Sequence, residues 1–220
     1  MLNLKNLSLA IPTLMIFLVS GTGQALATQY PLKVSVDGRH LEDQAGQAFL
    51  INGDTPWSLI VELTKAEADV YLEDRRSRGF NTIIVEIIEN EFGGPFNRDG
   101  DYPFLSSGDF SQPNEAYFQH ADWVINKAAE KGILVILTPA YIGYNCGGEG
   151  WCPEMKADSL ADLRGYGRFL GNRYKAYDNI IWMHGGDAAA GNFGALNHVN
   201  AIAEGIREVD PGKLFTVYCN

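Results

Sequence analysis

The stretch that decides the fold is residues 80–88, which read Phe-Asn-Thr-Ile-Ile-Val-Glu-Ile-Ile. Its β-branched residues run on without the polar–apolar alternation of a half-exposed antiparallel strand. A short, continuous apolar run of this kind is typical of a parallel strand that is buried on both faces. Glu86 lies inside the run. We expect it either to be paired with another side chain or to contact the residues that bind a ligand without touching the ligand itself.

The segments around this strand alternate between helix and strand. Upstream, Thr64-Lys65-Ala66-Glu67 forms a capping box that opens a helix, and Gly79 ends that helix. Downstream, helices are predicted at 115–131, 159–174 and 194–208, and strands at 133–137, 180–183 and 214–218. Regular alternation of this kind predicts a parallel α/β sheet with right-handed crossovers.

The connections favour a barrel over an open sheet. Those that follow strands are long and rich in aromatic and acidic residues, whereas those that follow helices are short, as in a (β/α)8 barrel with its active site at the strand ends. A doubly wound nucleotide-binding sheet is the alternative, but no glycine-rich phosphate-binding motif follows a strand. We therefore expect a partial (β/α)8 TIM barrel over residues 49–220, with a first strand at 49–53 and four to five βα units. An N-terminal β segment at 28–48 precedes it.

The first residues have the pattern of a secretory signal peptide. An apolar run at 7–19 is followed by a polar stretch and by Ala25-Leu26-Ala27, which predicts cleavage after Ala27. The run is shorter than the ~20 apolar residues of a membrane-spanning helix. We expect a secreted or periplasmic protein, without membrane association once residues 1–27 are removed.

Export makes the cysteines informative. Cys146 and Cys152 flank a short glycine-rich loop, and an oxidising compartment permits a disulfide between them. Cys219 is then left over, either as a buried thiol or with a partner outside this sequence. Two cysteines without a nearby histidine do not make a zinc site, so we expect no metal and no cofactor.

The charge balance restricts the ligand. The 220 residues carry a formal net charge of −10, and 46% of them are hydrophobic, as in an ordinary globular protein. An acidic surface repels nucleic-acid phosphates and anionic lipids, so neither is an expected partner. Neutral ligands such as carbohydrates fit better.

Candidate binding residues follow the predicted strands. Carboxylates, amides and aromatic rings at one mouth suit a sugar site, where acids act on the glycosidic oxygen. The candidates for substrate binding are Asp54, Trp57, Glu89, Asn90, Tyr141, Trp151 and His184. Structural alternatives exist: Asp54 as a turn cap, Trp57 as a core residue, Glu89 and Glu91 as solvated loop charges, and His184 as a hydrogen-bonding positioner.

Asp187 is the catalytic candidate with the most specific sequence signal. Gly185 and Gly186 precede it and allow the chain to turn abruptly off the strand, which places a carboxyl group at the mouth. The alternative is that Asp187 only caps the next turn or helix.

Several segments together resemble the apiosidase-like glycoside hydrolases, that is, glycoside hydrolase family 140 and the broader domain-of-unknown-function family 4038. The matching segments include Phe-Leu-Ile-Asn-Gly-Asp-Thr-Pro-Trp at 49–57, Arg-Gly-Phe-Asn-Thr-Ile at 78–83 and Asn-Ile-Ile-Trp-Met-His-Gly-Gly-Asp at 179–187. The resemblance implies a retaining (β/α)8 hydrolase of plant cell-wall glycans, such as apiose-containing pectin. It further implies a general acid/base after the fourth strand, where Asp187 falls, and a nucleophilic glutamate after the seventh.

The predicted strands stop at the fifth, so we expect the acid/base to be present and the nucleophile to lie outside this chain. On that reading the 220-residue chain has no glycosidase activity alone. A non-catalytic glycan-binding remnant and a sheet-completing interaction module are the alternatives. A further one is an inverting hydrolase that pairs Asp187 with Glu89 or Glu91, which requires carboxyl groups about 6.5–9.5 Å apart.

Overall fold

The structure, a computed structural model, describes residues 27–187 and 189–218. Apart from Ala27, the predicted signal peptide lies outside the described residues, as does Cys219. The strands are Lys33–Val34 (β1), Leu41–Glu42 (β2), Ala48–Phe49 (β3), Gly53–Asp54 (β4), Thr82–Glu86 (β5), Leu134–Thr138 (β6), Ile180–Gly185 (β7) and Phe215–Tyr218 (β8). The helices are Leu59–Glu62 (α1), Lys65–Ser77 (α2), Glu115–Glu130 (α3), Cys152–Ala157 (α4), Leu160–Tyr174 (α5) and Leu196–Val209 (α6).

The strands form two sheets. β1, β2 and β3 make a small antiparallel sheet, and the other five strands make a parallel sheet in the order β4-β5-β6-β7-β8. Consecutive parallel strands are neighbours throughout, and the main helices connect them. The predicted alternating α/β architecture is confirmed.

The predicted first barrel strand, residues 49–53, is divided in the structure. Phe49 pairs with β2 in the antiparallel sheet, and parallel pairing begins only at Gly53. Between them the side chain of Asn81 accepts a hydrogen bond from the backbone N–H of Asn52, at 2.9 Å. The backbone N–H of Asn81 donates in turn to the carbonyl oxygen of Asn52, at 2.9 Å. The prediction was wrong to put Phe49 in the barrel strand, because Phe49 belongs to the antiparallel sheet.

The helix starts follow the capping signals in the sequence. Thr64 and Glu67 make both hydrogen bonds of the predicted capping box at the start of α2. The side chain of Ser159 likewise accepts a hydrogen bond from the backbone of Asp162 at the start of α5. Among the helices of the described residues, none combines the length and the apolar character needed to cross a membrane.

Alternate residues of the parallel strands face opposite sides of the sheet. One set packs beneath the helices in the main core; it includes Ile83, Val85, Val135, Leu137, Ile180 and Trp182. The other set faces the concave side, in a second cluster that includes Ile84, Leu134, Ile136, Ile181 and Met183. Leu32 is buried in this second cluster, with residues of β2 and β3 packed against it. The antiparallel sheet therefore covers the concave side at the end away from the strand C-termini.

Candidate active site

A cavity of about 280 Å³ opens at the carboxyl ends of the parallel strands. Glu86 ends β5, Tyr141 follows β6, and Asp187 follows β7. The complete set of lining residues is Trp57, Ser58, Glu86, Glu89, Phe92, Tyr141, Asp187 and Tyr218. Carboxyl groups and aromatic rings thus share one concave surface at the position where barrel enzymes carry out their chemistry.

The chain turns sharply to deliver Asp187 to this cavity. Gly185 has φ +101°, and a Cβ atom there would lie 2.5 Å from the carbonyl oxygen of Tyr218. A Cβ atom on Gly186 would lie 2.9 Å from the ring of Tyr141. The absence of both side chains lets the backbone pass, as the sequence pattern indicates, and the Tyr141 hydroxyl donates a hydrogen bond to Asp187 Oδ2 at 3.0 Å.

Four of the eight residues that line the cavity are aromatic. The rings of Trp57 and Tyr218 are 5.7 Å apart between centroids and inclined by 38°. Phe92 is 68% exposed at the rim, which is unusual for a ring of its size. Burial and the hydrogen bond to Asp187 raise the pKa of Tyr141, so its hydroxyl stays protonated and available as a donor.

Two further carboxyl groups are buried in the cavity wall. The Ser58 hydroxyl donates a hydrogen bond to Glu89 Oε1 at 2.8 Å, yet burial still raises the pKa of Glu89. Burial, followed by the charges of Glu89 and Asp187, raises the pKa of Glu86 to about 8. The cavity therefore holds carboxyl groups in different environments, which is the condition for their taking different protonation states near neutral pH.

The structure brings four of the predicted site residues to this cavity: Trp57, Glu89, Tyr141 and Asp187. Asp54 is not among the lining residues. Its carboxylate accepts hydrogen bonds from Tyr71, at 2.7 Å, and Arg75, at 2.8 Å, on α2. Asp54 therefore joins a strand to a helix, and hydrogen bonding by Tyr71 is the main cause of its lowered pKa.

Asn90 and Trp151 help to hold the loop after β6. The Asn90 side chain donates a hydrogen bond to the carbonyl oxygen of Gly150 at 2.7 Å. Trp151 is 3% exposed and packs edge-on against two phenylalanine rings, so it belongs to the core rather than to the cavity wall. A disulfide between Cys146 and Cys152 closes the same loop.

His184 faces the helix side of the sheet, away from the cavity. Its ring stacks on Phe215 with centroids 5.5 Å apart and planes inclined by 6°. Burial, reinforced by the charge of Arg207, lowers the pKa of His184 to about 3, so the ring is neutral. His184 follows the same alternation as the buried Trp182, which the sequence already shows.

Four lining residues were not predicted as site residues: Ser58, Glu86, Phe92 and Tyr218. The alternation along β5 gives a signal for Glu86, since it shares the parity of Ile84 on the concave side. For Ser58 and Phe92 no spacing rule applies, because both lie in irregular segments. Among the described residues, no group of three or more His, Cys, Asp or Glu side chains is placed to hold a metal ion.

The parallel sheet and the acidic, aromatic-lined cavity at its strand ends are those of a TIM-barrel protein of the glycoside hydrolase type. The chain belongs to the apiosidase-like family, because the family model "Apiosidase-like, catalytic domain" matches residues 35–220. The resemblance drawn from the sequence is thus confirmed. No protein of curated function matches the chain.

Solved structures of glycoside hydrolases share the fold. A glycoside hydrolase family 5 protein from Bacteroides vulgatus is 28% identical with a TM-score of 0.72, over 88% of this chain and 42% of its own. A further glycoside hydrolase is 30% identical with a TM-score of 0.72, over 88% of this chain and 43% of its own. An endo-1,4-β-mannanase from Rhizomucor miehei, 14% identical with a TM-score of 0.62 over 84% of this chain and 60% of its own, shows the fold alone. The predicted barrel-type fold is confirmed, and the chain spans less than half the length of the first two structures.

Proposed function

We propose that this chain provides the general acid/base of a retaining glycoside hydrolase, and that Asp187 is that residue. The observation that carries the proposal is the position of Asp187 at the strand ends, in an aromatic-walled cavity, with its carboxyl group held by Tyr141 at 3.0 Å. A partly exposed carboxyl group in this position has access to a glycosidic oxygen. In the first step Asp187 protonates the departing oxygen, and in the second it takes a proton from the attacking water.

The proposed substrate is a plant cell-wall glycan, with apiose-containing pectin as the first choice. Aromatic rings such as Trp57, Phe92 and Tyr218 offer apolar faces to sugar rings. Among the described lining residues there is no Lys, Arg or His, which favours a neutral sugar unit over a uronic acid in this cavity. Membership of the apiosidase-like family supports the choice of apiose.

We propose that the nucleophile lies outside this chain. A retaining enzyme needs two carboxyl groups about 5–5.5 Å apart, and the family resemblance assigns the nucleophile to a later strand. The chain corresponds to 42% and 43% of the two glycoside hydrolases compared above, which supports the proposal. The 220-residue chain alone is expected to give no turnover.

Export is part of the proposal. The signal-peptide pattern of residues 1–27 supports secretion or a periplasmic location. The disulfide between Cys146 and Cys152 supports it independently, because such bonds persist in oxidising compartments. Mass spectrometry of the mature protein tests it: the expected N-terminus is Thr28, and an intact N-terminus in a reducing compartment would contradict it.

The acid/base role is tested with Asp187→Ala in the full-length protein that supplies the second carboxylate. Turnover of the natural glycan is expected to fall by roughly 10²–10⁴-fold, because the leaving oxygen is no longer protonated. An aryl glycoside with an activated leaving group needs no such proton, so bond cleavage should survive, and added azide should restore turnover by replacing the activated water. Measuring both substrates, with and without azide, separates this role from simple misfolding.

Glu91→Gln is the matched control, because Glu91 is exposed and does not line the cavity. It is expected to keep the wild-type rate on both substrates. Wild-type rates for Asp187→Ala on both substrates would show that Asp187 is not the acid/base. Turnover by the 220-residue chain alone that Asp187→Ala abolishes would instead show that no outside nucleophile is needed.

An inverting hydrolase is the second candidate. Glu89 lines the same cavity as Asp187, is 1% exposed, and its Oε2 atom has no hydrogen-bond partner among the described residues. Glu91, the other partner suggested by the sequence, is exposed outside the cavity. Proton NMR of the first product distinguishes the two mechanisms, since inversion gives the opposite anomer and retention gives the same one.

A further inference from the structure

Glu86 is the last residue of β5 and faces the concave side of the sheet. Ile84, two residues earlier, packs in the concave-side cluster, and strand alternation gives Glu86 the same direction. Its neighbour across the ladder, Thr138, ends β6 at the same level. At the end of β7, the backbone of Tyr218 rather than a side chain occupies the space beside Gly185. Glu86 therefore lies on the floor of the cavity, below the level of Asp187 and Tyr141.

Among the described residues, the carboxyl group of Glu86 has no hydrogen-bond partner. Only 5% of the residue is exposed, and no hydrogen bond to its side chain is formed within residues 27–187 and 189–218. A largely buried carboxyl group without a partner in the protein forms its hydrogen bonds with the water or ligand that reaches it. Since the side chain lines the cavity, the direction left for a hydrogen bond is toward whatever occupies that cavity.

The groups around Glu86 disfavour its charged form. Facing it are Glu89 from the loop after β5, Asp187 from the loop after β7 and Tyr141 from the loop after β6; Tyr117 of α3 and Tyr218 of β8 are the other titratable neighbours. Burial and the carboxylates raise the pKa of Glu86 to about 8. At pH 6 the group is thus a neutral carboxylic acid, with one O–H donor and a carbonyl acceptor.

We propose that Glu86 is a ligand-binding residue, whose neutral carboxyl group forms hydrogen bonds with hydroxyl groups of the sugar unit on the cavity floor. The proposal rests on the proposed carbohydrate function of this cavity. A carboxylic acid donates to one hydroxyl oxygen and accepts from a neighbouring hydroxyl group, so it recognises a pair of adjacent hydroxyl groups. Glu86 would therefore help to choose which sugar is held there.

The test is isothermal titration calorimetry of the 220-residue chain with pectin-derived oligosaccharides, apiose-containing ones included. At pH 6, Glu86→Gln is expected to bind within about threefold of the wild type, because the amide also offers a donor and an acceptor. Glu86→Leu should bind about tenfold more weakly, because both hydrogen bonds are lost. Between pH 6 and pH 9 the wild type should weaken about tenfold as the O–H donor is lost, while Glu86→Gln should change less than twofold.

Glu91→Gln serves as the control, since its exposed side chain is outside the cavity; it should follow the wild type at both pH values. If Glu86→Gln and Glu86→Leu both bind like the wild type, Glu86 does not contact the ligand, and the proposed function stands. If Glu86→Gln binds about tenfold more weakly at pH 6, the neutral-donor role is wrong. If the wild type binds no oligosaccharide of the set, the carbohydrate site itself is wrong, and the role of Glu86 with it. Should Glu86→Leu fail to fold, the pH comparison of the wild type with Glu86→Gln still decides.

Discussion

Glu86 and His184 are both buried ionisable residues at strand ends, but they face opposite sides of the sheet. Glu86 shares the parity of the concave-side residue Ile84, whereas His184 shares that of Trp182 beneath the helices. Neither carries its charge near neutral pH, because burial lowers the pKa of His184 to about 3 and raises that of Glu86 to about 8. Of these two residues, Glu86 lines the cavity that also holds Asp187 and His184 does not, so Glu86 is the one with access to a ligand there.

Protonation of Glu86 makes the stability of the protein depend on pH. The folded-state pKa is about 8 and the reference value is 4.5, so between these pH values the folded state binds the extra proton. The free energy of unfolding should therefore fall as pH rises from about 4.5 to 8, by up to about 1.4 kcal/mol per pH unit. Below pH 4.5 Glu86 is neutral in both the folded and the unfolded state, so it does not lower the stability. Above pH 8 the folded state bears the full cost of holding a buried negative charge.

Urea denaturation of the wild type and Glu86→Gln at pH 5, 6, 7 and 8 measures this slope. Glu86→Gln should be less sensitive to pH, with a residual slope of the same sign from Glu89, whose pKa burial also raises. Glu91→Gln, the exposed control, should keep the wild-type slope. Equal slopes in the wild type and Glu86→Gln would mean that Glu86 titrates like an exposed carboxyl group.

The sequence predicts some site residues better than others for a physical reason. Asp187 was identifiable because two glycines before an acid at a strand end leave a clear local signal. Asp54 also lies at a strand end, but its carboxylate accepts hydrogen bonds from Tyr71 and Arg75 of α2, and such a tertiary contact cannot be read from spacing. His184 lies next to the Gly-Gly-Asp motif in the sequence, yet its side chain faces the helices. Strand alternation predicts this direction, because His184 is two residues after the buried Trp182.

At the scale of secondary structure elements, α5 and α6 come unusually close because glycines face each other. A Cβ atom on Gly205 would collide with the carbonyl oxygen of Arg164, and one on Gly167 with that of Ile202. Both glycines are buried, so the backbones of the two helices are in direct contact. This contact fixes α5 and α6 on the helix side of β7 and β8, and thereby the strand ends that carry Asp187.

Gly205→Ala is expected to destabilise the protein by roughly 1–3 kcal/mol, because the added methyl group forces the helices apart. In an exposed helix the same change stabilises by up to ~1 kcal/mol. Gly165→Ala in α5 is the matched control, since its Cβ atom would find only the end of the Arg168 side chain, 4.0 Å away. The urea midpoint is expected to fall for Gly205→Ala and to rise for Gly165→Ala. If both variants were stabilised, the interface between α5 and α6 would have space for the added methyl group.

Element order was predictable from the sequence, whereas the first strand was not. A β-branched run marks β5, a short apolar run marks β7, and capping residues mark α2 and α5, because these signals are local. The segment at 49–53 also looks like one strand, but Phe49 belongs to the antiparallel sheet and Gly53 to the parallel one. Between them the chain bonds to Asn81, about thirty residues further on, and such a contact has no signature in the segment itself.

At the scale of the whole molecule, the two ends of the parallel sheet differ. The antiparallel sheet covers the concave side at one end, with Leu32 buried against residues of β6 and β7. The other end carries the candidate active site, so the concave core is closed below a cavity that stays open. The packed end and the end with the candidate active site are therefore opposite, as in other barrel proteins.

The free edge of β8 is expected to make the isolated chain self-associate in solution. In the described sheet β8 pairs only with β7, so one of its edges is free to pair with another strand. Val217 on this strand is 68% exposed and borders a cavity of about 490 Å³ that Leu196, Val199 and Phe215 also line. We expect the purified 220-residue chain to self-associate through this edge, increasingly so at high salt, where the repulsion between copies of net charge −10 is screened.

Val217→Lys tests this expectation, because a lysine on an edge strand opposes pairing with a second copy. Sedimentation velocity over a hundredfold range of concentration should show the wild type growing in mass, and Val217→Lys remaining closer to the monomer. Val70→Lys is the matched control: Val70 is 70% exposed on α2, away from the edge, and its variant should associate like the wild type. A wild type that stays monomeric at high salt would contradict the prediction, and equal effects of both lysines would trace the change to net charge rather than to the edge of β8.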